Sequence, residues 1–242
     1  MQTPINPSIE PFRQFTSEED QTWRELFERQ EKLRSQQIYH IFEDGLAVLE
    51  MESTRVPDLD RVNSILMKKT GFKGVPVTGH EDPRSFFPML ARGDFPIGNF
   101  IRDRKDINYT PAPDVFHDLY GHLPFYANED YAKFSKDFGR RGSKYIENPD
   151  LLRQWERLFW FGLEFSLVKT PSGNRVFGAG LASSFGETAY ALSSKPEVIP
   201  FDLEVIRRQE FRIDIFQEKV FILESPEQLY GCLDAFEKGV LS

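Results

Sequence analysis

Tyr109-Thr-Pro-Ala-Pro-Asp-Val-Phe-His117-Asp-Leu-Tyr-Gly-His122-Leu-Pro124 carries two of the chain's four histidines, five residues apart. On a continuous α-helix that spacing sets the side chains ~140° apart around the axis, too far to share one ion. Gly121 and Pro124 are residue types on which helices end. The segment therefore predicts a helix with His117 in its last turn and His122 beyond it. A backbone returning there aims both imidazoles at one point. Two core or capping histidines account for the pair as well.

A third element lies downstream in Leu158-Phe-Trp-Phe-Gly-Leu-Glu164-Phe-Ser-Leu-Val168, which is apolar on nearly every face except for one carboxylate. An ionised carboxylate buried without a partner is costly, so a cation is expected beside Glu164. An arginine or lysine in an internal salt bridge supplies it, and so does a metal. Two neutral imidazoles and one carboxylate make the facial set of non-haem Fe(II) oxygenases, with adjacent positions left open. Zinc takes the same donors, so a His2Glu zinc hydrolase with a metal-bound water stays open. A 2-oxoglutarate-type oxygenase fits less well: it needs His-x-Asp/Glu, and Asp118 is adjacent to His117. A non-catalytic binding protein that kept such a pocket is a further reading, against which all three ligand types are present.

Around these segments the chain reads as mainly α with a small β-sheet (α+β). Residues 1–15 are polar and Pro-punctuated, an irregular, weakly tethered arm. Ser17-Glu-Glu-Asp starts a helix, and the apolar spacing from Trp23 to Leu49 predicts one or two amphipathic helices ending near Arg55. Asp58 caps another, carrying Val62, Ile65 and Leu66 and stopped by Gly71. Arg153–Lys169, the most apolar run, predicts a helix, and Ala179–Leu192 another, entered through glycine. Phe211–Phe216 and Lys219–Leu223 predict strands. No repeat or linker interrupts 16–242, which is expected to be a single catalytic domain.

The 242 residues hold 30 Lys+Arg against 38 Asp+Glu, a net charge of −8. A pI near 5.2 argues against nucleic acid and anionic membranes as partners. One cysteine, Cys232, excludes an internal disulfide framework. No apolar run reaches the ~20 residues of a membrane helix, and no secretory signal is visible, so a cytoplasmic protein is expected.

Three motifs in order, Pro111-x-Pro-Asp114-x-x-His117-Asp-x-x-Gly-His122-x-Pro124, Trp160-Phe-x-x-Glu164-Phe and Gly178-Ala-Gly-Leu-x-Ser-Ser-Phe-Gly-Glu187, resemble the pterin-dependent aromatic amino acid hydroxylases. The likeness runs from about Trp23 to Ser225. It implies that family's catalytic-domain fold and a phenylalanine 4-monooxygenase-like activity. The length suits short microbial members, without regulatory domain or tetramerisation helix, and a monomer is expected.

The resemblance makes His117, His122 and Glu164 the ligands of Fe(II), with a tetrahydropterin (tetrahydrobiopterin or a relative) and O2 as co-substrates. It places Phe86, Asp118 and Phe159 at the pterin. It assigns Arg102 to the substrate carboxylate, Thr110, Pro113, Asp114 and Trp160 to the amino acid pocket, and Ser183 and Glu187 beside the metal and substrate. Helix capping accounts for Ser183 and Glu187 as well. Trp160 favours a single-ring substrate. Ile222, where tyrosine hydroxylases carry an acid, leaves a substrate hydroxyl without a partner. L-Phenylalanine converted to tyrosine is therefore expected, with tryptophan hydroxylation or meta-hydroxylation of phenylalanine as alternatives. One departure stands out: His80-Glu81 replaces apolar residues of the pterin-side loop before Phe86.

Overall fold

The computed structural model describes residues 6–108 and 112–240. Helix Ser17–Glu31 takes its cap from Thr16 rather than Ser17: the Thr16 hydroxyl accepts from the Glu19 N–H, and the Glu19 carboxylate accepts from the Thr16 N–H. This reciprocal cap satisfies two donors the first turn would leave orphaned. Trp23, Leu26 and Phe27 form its buried face. The apolar run then breaks into Arg34–Gln37 and His40–Val48, stopping short of Arg55 where Glu50 takes a positive φ of 50°. Helix Leu59–Lys69 follows expectation, capped by Asp58 and closed at Gly71 with φ 69°.

Two small sheets accompany the helices. Strands β1 (Lys73–Val77) and β2 (Asp94–Gly98) pair in parallel, joined through helix Pro83–Arg92. The second sheet has β3 (Ser166–Val168), β4 (Arg175–Val176), β5 (Glu197–Pro200) and β6 (Lys219–Leu223) in the order β4-β3-β6-β5. β3 and β4 are antiparallel, while β6 runs parallel to both β3 and β5. The mainly helical α+β expectation holds.

Three expected elements differ. Arg153–Lys169 is not one helix: helix Pro149–Phe159 passes into a π-helical turn, Trp160–Glu164, and then into β3. Ala179–Leu192 is two short helices, Ala179–Ala182 and Phe185–Ala191, because the Ser184 hydroxyl accepts from the Glu187 N–H and starts the second. Phe211–Phe216 forms no strand. From residue 6 onward the arm is irregular but anchored, since Glu10 N–H bonds the Pro76 carbonyl and Thr78 N–H bonds that of Ser8.

The segment Phe116–His122 runs through the centre of the main apolar cluster and continues into helix Leu123–Tyr126. Tyr120 is packed by Phe27, Phe42 and Phe116. Burial on this scale, about 1.5–3 kcal/mol per large apolar side chain, holds the central segment rigid.

Candidate metal centre and adjoining cavity

The helix that carries the histidines does not end at Gly121. Phe116–His122 is π-helical, and the wider i→i+5 turn swings residue 122 round toward the side of residue 117. The ~140° separation of an α-helix is thereby narrowed enough for the two rings to meet. Gly121 serves another purpose: a Cβ there would lie 2.9 Å from both the Ala179 carbonyl oxygen and Ser183 Cβ. Its absence lets helix Ala179–Ala182 lie against the π segment. Glu164 also sits on a π turn, closed by the bond from Phe165 N–H to the Trp160 carbonyl at 2.8 Å. Gly178 passes so close that a Cβ would fall 2.1 Å from the Glu164 carbonyl oxygen.

These elements bring the three side chains together. His117 Nε2 and His122 Nε2 are 3.2 Å apart, His122 Nε2 is 2.9 Å from Glu164 Oε1, and His117 Nε2 is 3.8 Å from Glu164 Oε2. Neighbouring corners of an octahedron with metal–ligand bonds of about 2.1 Å are about 3 Å apart, so the set fits one ion. Among the described residues it is the one group of three or more such side chains close enough to do so.

The protonation pattern fits as well. Ser183 Oγ donates to the Gly180 carbonyl at 3.1 Å, so its contact of 2.9 Å with His117 Nδ1 is one in which the imidazole N–H donates. That fixes the His117 tautomer with the Nε2 lone pair toward Glu164 and His122. Burial lowers the His117 pKa to about 4, keeping the ring neutral. Burial works against the Glu164 charge, but the two histidines outweigh it and hold the carboxyl below its ordinary range. Among the described residues Glu164 Oε2 has no hydrogen-bond partner although buried. A carboxylate oxygen orphaned beside two imidazole nitrogens is a donor set for a cation.

The centre opens onto a cavity of about 490 Å³. Phe86 and Phe159 line it and meet edge to face at 4.9 Å. Asp118 also lines it and accepts from the Gly98 N–H at 2.6 Å. Burial, with the negative Asp114 and Glu164 nearby, pushes its carboxyl well above the usual range. Arg102, Pro113, Trp160, Ser183 and Glu187 complete the part of the lining that the sequence points to. Burial and the Glu164 charge raise the Glu187 pKa to about 7 against the opposing pull of Ser184 and Arg102. Ser184, not Ser183, caps the following helix.

Some expectations change. Asp114 is fully buried and does not line the cavity. Its carboxylate takes Arg102 Nε and Nη2 at 2.8 Å each, together with the backbone N–H groups of Arg102 and His117. A buried carboxylate needs such donors, and Asp114 uses its own to fix the guanidinium. Ile222 packs in β6 and is not a wall residue. Thr110 lies outside the described residues.

The wall facing Trp160 was not legible in the chain. Phe211 stacks on Trp160 at 4.4 Å and 12°, and Phe165 packs on the same indole. Trp160 Nε1–H donates to Gln217 Oε1 at 3.0 Å, and Gln217 Nε2 donates to the Arg212 and Ile215 carbonyls. Phe95 stacks on His122 at 4.3 Å. Nothing in the composition distinguishes Gln217 from a surface glutamine, and Phe95 is one of 23 Phe.

Comparison with known proteins gives one answer throughout. The family model described as biopterin-dependent aromatic amino acid hydroxylase matches residues 7–240. Phenylalanine-4-hydroxylase of Ralstonia nicotianae is 38% identical over 222 residues, covering 91% of this chain and 71% of that protein. That of Chromobacterium violaceum is also 38% identical, covering 91% and 74%. The crystal structure of C. violaceum phenylalanine hydroxylase with bound oxidized Fe(III) superimposes with TM-score 0.93 at 36% identity, covering 97% of this chain and 86% of that one. A second, with iron(III) and oxidized 7,8-dihydrobiopterin, has TM-score 0.91, covering 97% and 85%.

Proposed function

Because the chain belongs to the biopterin-dependent aromatic amino acid hydroxylases, we propose that it hydroxylates the ring of L-phenylalanine to give tyrosine. Fe(II) is held by His117, His122 and Glu164, with a tetrahydropterin and O2 as co-substrates. The observation that carries this reading is the convergence of those three side chains, 2.9–3.8 Å apart, at the base of an aromatic cavity. The names of the relatives, and the iron and dihydrobiopterin in two of their structures, support it.

In this reading the bound iron and reduced pterin supply the activation of dioxygen, and the chain supplies geometry. Phe86, Phe159 and Asp118, which line the cavity, would hold the pterin. Arg102, immobilised by Asp114, meets the substrate carboxylate; a fixed guanidinium loses less freedom on pairing than a mobile one. Trp160, held by Phe211 and Phe165, bounds the space for a single aromatic ring. Pro113 closes the wall beside Arg102, and Ser183 holds the His117 tautomer. The largely apolar lining excludes water from the reacting atoms.

The test is product analysis with phenylalanine, tyrosine or tryptophan, each given tetrahydropterin, Fe(II) and air. p-Tyrosine formed from phenylalanine, in step with pterin oxidation, is the expected result. In parallel, His117→Ala and Glu164→Ala lose bound iron and product while their far-ultraviolet circular dichroism is unchanged. Exclusive formation of a tryptophan product or of meta-tyrosine overturns the substrate assignment. Full activity in either ligand variant overturns the metal centre.

A further inference from the structure

Glu81 departs from the family pattern with a carboxylate where apolar residues are expected, and it is only 8% exposed. It makes no use of the cavity's chemistry. Its Oε1 accepts from the Ser8 backbone N–H at 2.9 Å and from Ser8 Oγ at 2.6 Å, and its Oε2 accepts from Ser85 Oγ. Ser8 begins a stretch that adds an antiparallel bridge, Ile9 to Val77, at the edge of β1. Five residues on, Arg13 reaches the end of β2: its N–H bonds Asn99 Oδ1 at 3.0 Å and its Nε bonds the Asn99 carbonyl at 2.8 Å. Asn99 Nδ2 returns to Glu10 and Pro11.

The two ends of this stretch therefore hold two different walls of one subsite. The Glu81 end holds the loop Gly79–Glu81, which lines the cavity, and the helix that carries Phe86 one residue after Ser85. The Arg13 end holds Asn99, whose neighbour Gly98 positions the Asp118 carboxylate. We infer that Ser8–Arg13 is a clasp that sets the spacing between these walls, and that Glu81 is a positioning residue for pterin binding. The inference rests on the assignment of Phe86 and Asp118 to the pterin. Apolar residues at position 81 could not hold the arm, because the Ser8 N–H and hydroxyl would lose their acceptor.

The experiment compares wild type, Glu81→Leu, Glu81→Gln and a chain lacking residues 1–11, all iron-loaded. 7,8-Dihydrobiopterin binding is read by fluorescence quenching, steady-state constants are measured for both substrates, and trypsin cleavage after Arg13 reports arm release. Loss of hydrogen bonds to a charged group predicts pterin affinity weakened on the order of tenfold in Glu81→Leu and in the truncated chain. Pterin KM rises to match, with iron content and phenylalanine KM unchanged, and Arg13 is cut faster in Glu81→Leu. Glu81→Gln restores binding, because its carbonyl oxygen accepts from Ser8 and its amide donates to Ser85. A wild type that binds no pterin overturns the subsite assignment beneath the inference. A wild type that binds, with Glu81→Leu binding equally well or losing iron, pterin and amino acid together, overturns the clasp alone.

Discussion

Replacing Ser183 by Ala tests the metal centre at its most specific joint. The Ser183 hydroxyl is the group that takes the His117 Nδ1 proton, at 2.9 Å, while giving its own to Gly180. Alanine keeps Cβ against Gly121 and removes only the oxygen. The imidazole N–H is then left in a largely apolar wall without an acceptor, a loss of about 1–3 kcal/mol. Because that bond selects the tautomer that binds metal, the loss falls on metal affinity. About 10–100-fold weaker binding is expected, the range typical of removing a group that orients a ligating histidine. Anaerobic titration with Fe(II) or Co(II) against a competing chelator measures it directly. Ser184→Ala is the control: it removes a helix cap one residue away, costing about 1 kcal/mol of stability, and leaves His117 untouched. A Ser183→Ala affinity within twofold of wild type, or an equal loss in Ser184→Ala, refutes the tautomer argument.

Gln217→Leu removes the acceptor of the Trp160 indole and the donor to two loop carbonyls. The phenylalanine KM is expected to rise about tenfold, and discrimination against tryptophan to fall, with iron content unchanged. Unaltered kinetics for both amino acids would separate the 211–217 segment from substrate selection. Glu187→Gln tests a pH dependence of stability in metal-free protein. Since folding raises the Glu187 pKa from 4.5 to about 7, the folded chain holds the proton in that window and the unfolded chain does not. This group therefore lowers stability as pH rises from about 4.5 to 7, by at most about 1.4 kcal/mol per pH unit, and the deficit is fully present above 7. Thermal melts at pH 5 and 7.5 should show wild type losing more stability than Glu187→Gln between the two; parallel losses refute the assignment.

The ligand types were readable because each breaks a local pattern: two histidines in a Gly/Pro-bounded segment, and a lone acid in an apolar run. What the chain concealed is how partners are chosen across the fold. Phe211-Arg-Ile-Asp-Ile-Phe216 alternates as a strand does. Among the described residues no strand pairs with it; Phe211 is held by Trp160, and the Arg212 and Ile215 carbonyls are held by Gln217. Asp114 and Arg102 both suit a pocket by residue type, but only their pairing tells which one faces the cavity and which one holds it. Ser183 and Ser184 are adjacent and chemically identical, and the helix geometry alone decides that the first serves His117 and the second caps.

The histidine spacing shows the same limit most clearly. A five-residue separation is wrong for an α-helix, and a helix ending at Gly121 is one way to reconcile it with a shared ion. The chain reaches the same convergence by widening the helix. A π turn costs hydrogen-bond geometry and seldom persists without tertiary support. Here that support is visible as close packing at glycine: Gly121 against Ala179 and Ser183 on one side, Gly178 against Glu164 on the other. The helix Ala179–Ala182 thus touches both ligand-bearing π turns and also carries Ser183 at its C-terminal end. The irregular helices, the tight glycine contacts and the metal ligands form one mechanical unit, in which bulk added at Gly121 or Gly178 acts on the ligand geometry itself. A metal centre built on regular helices would tolerate that bulk with a shift of one helix; one built on two π turns facing a common third element has nowhere to move it.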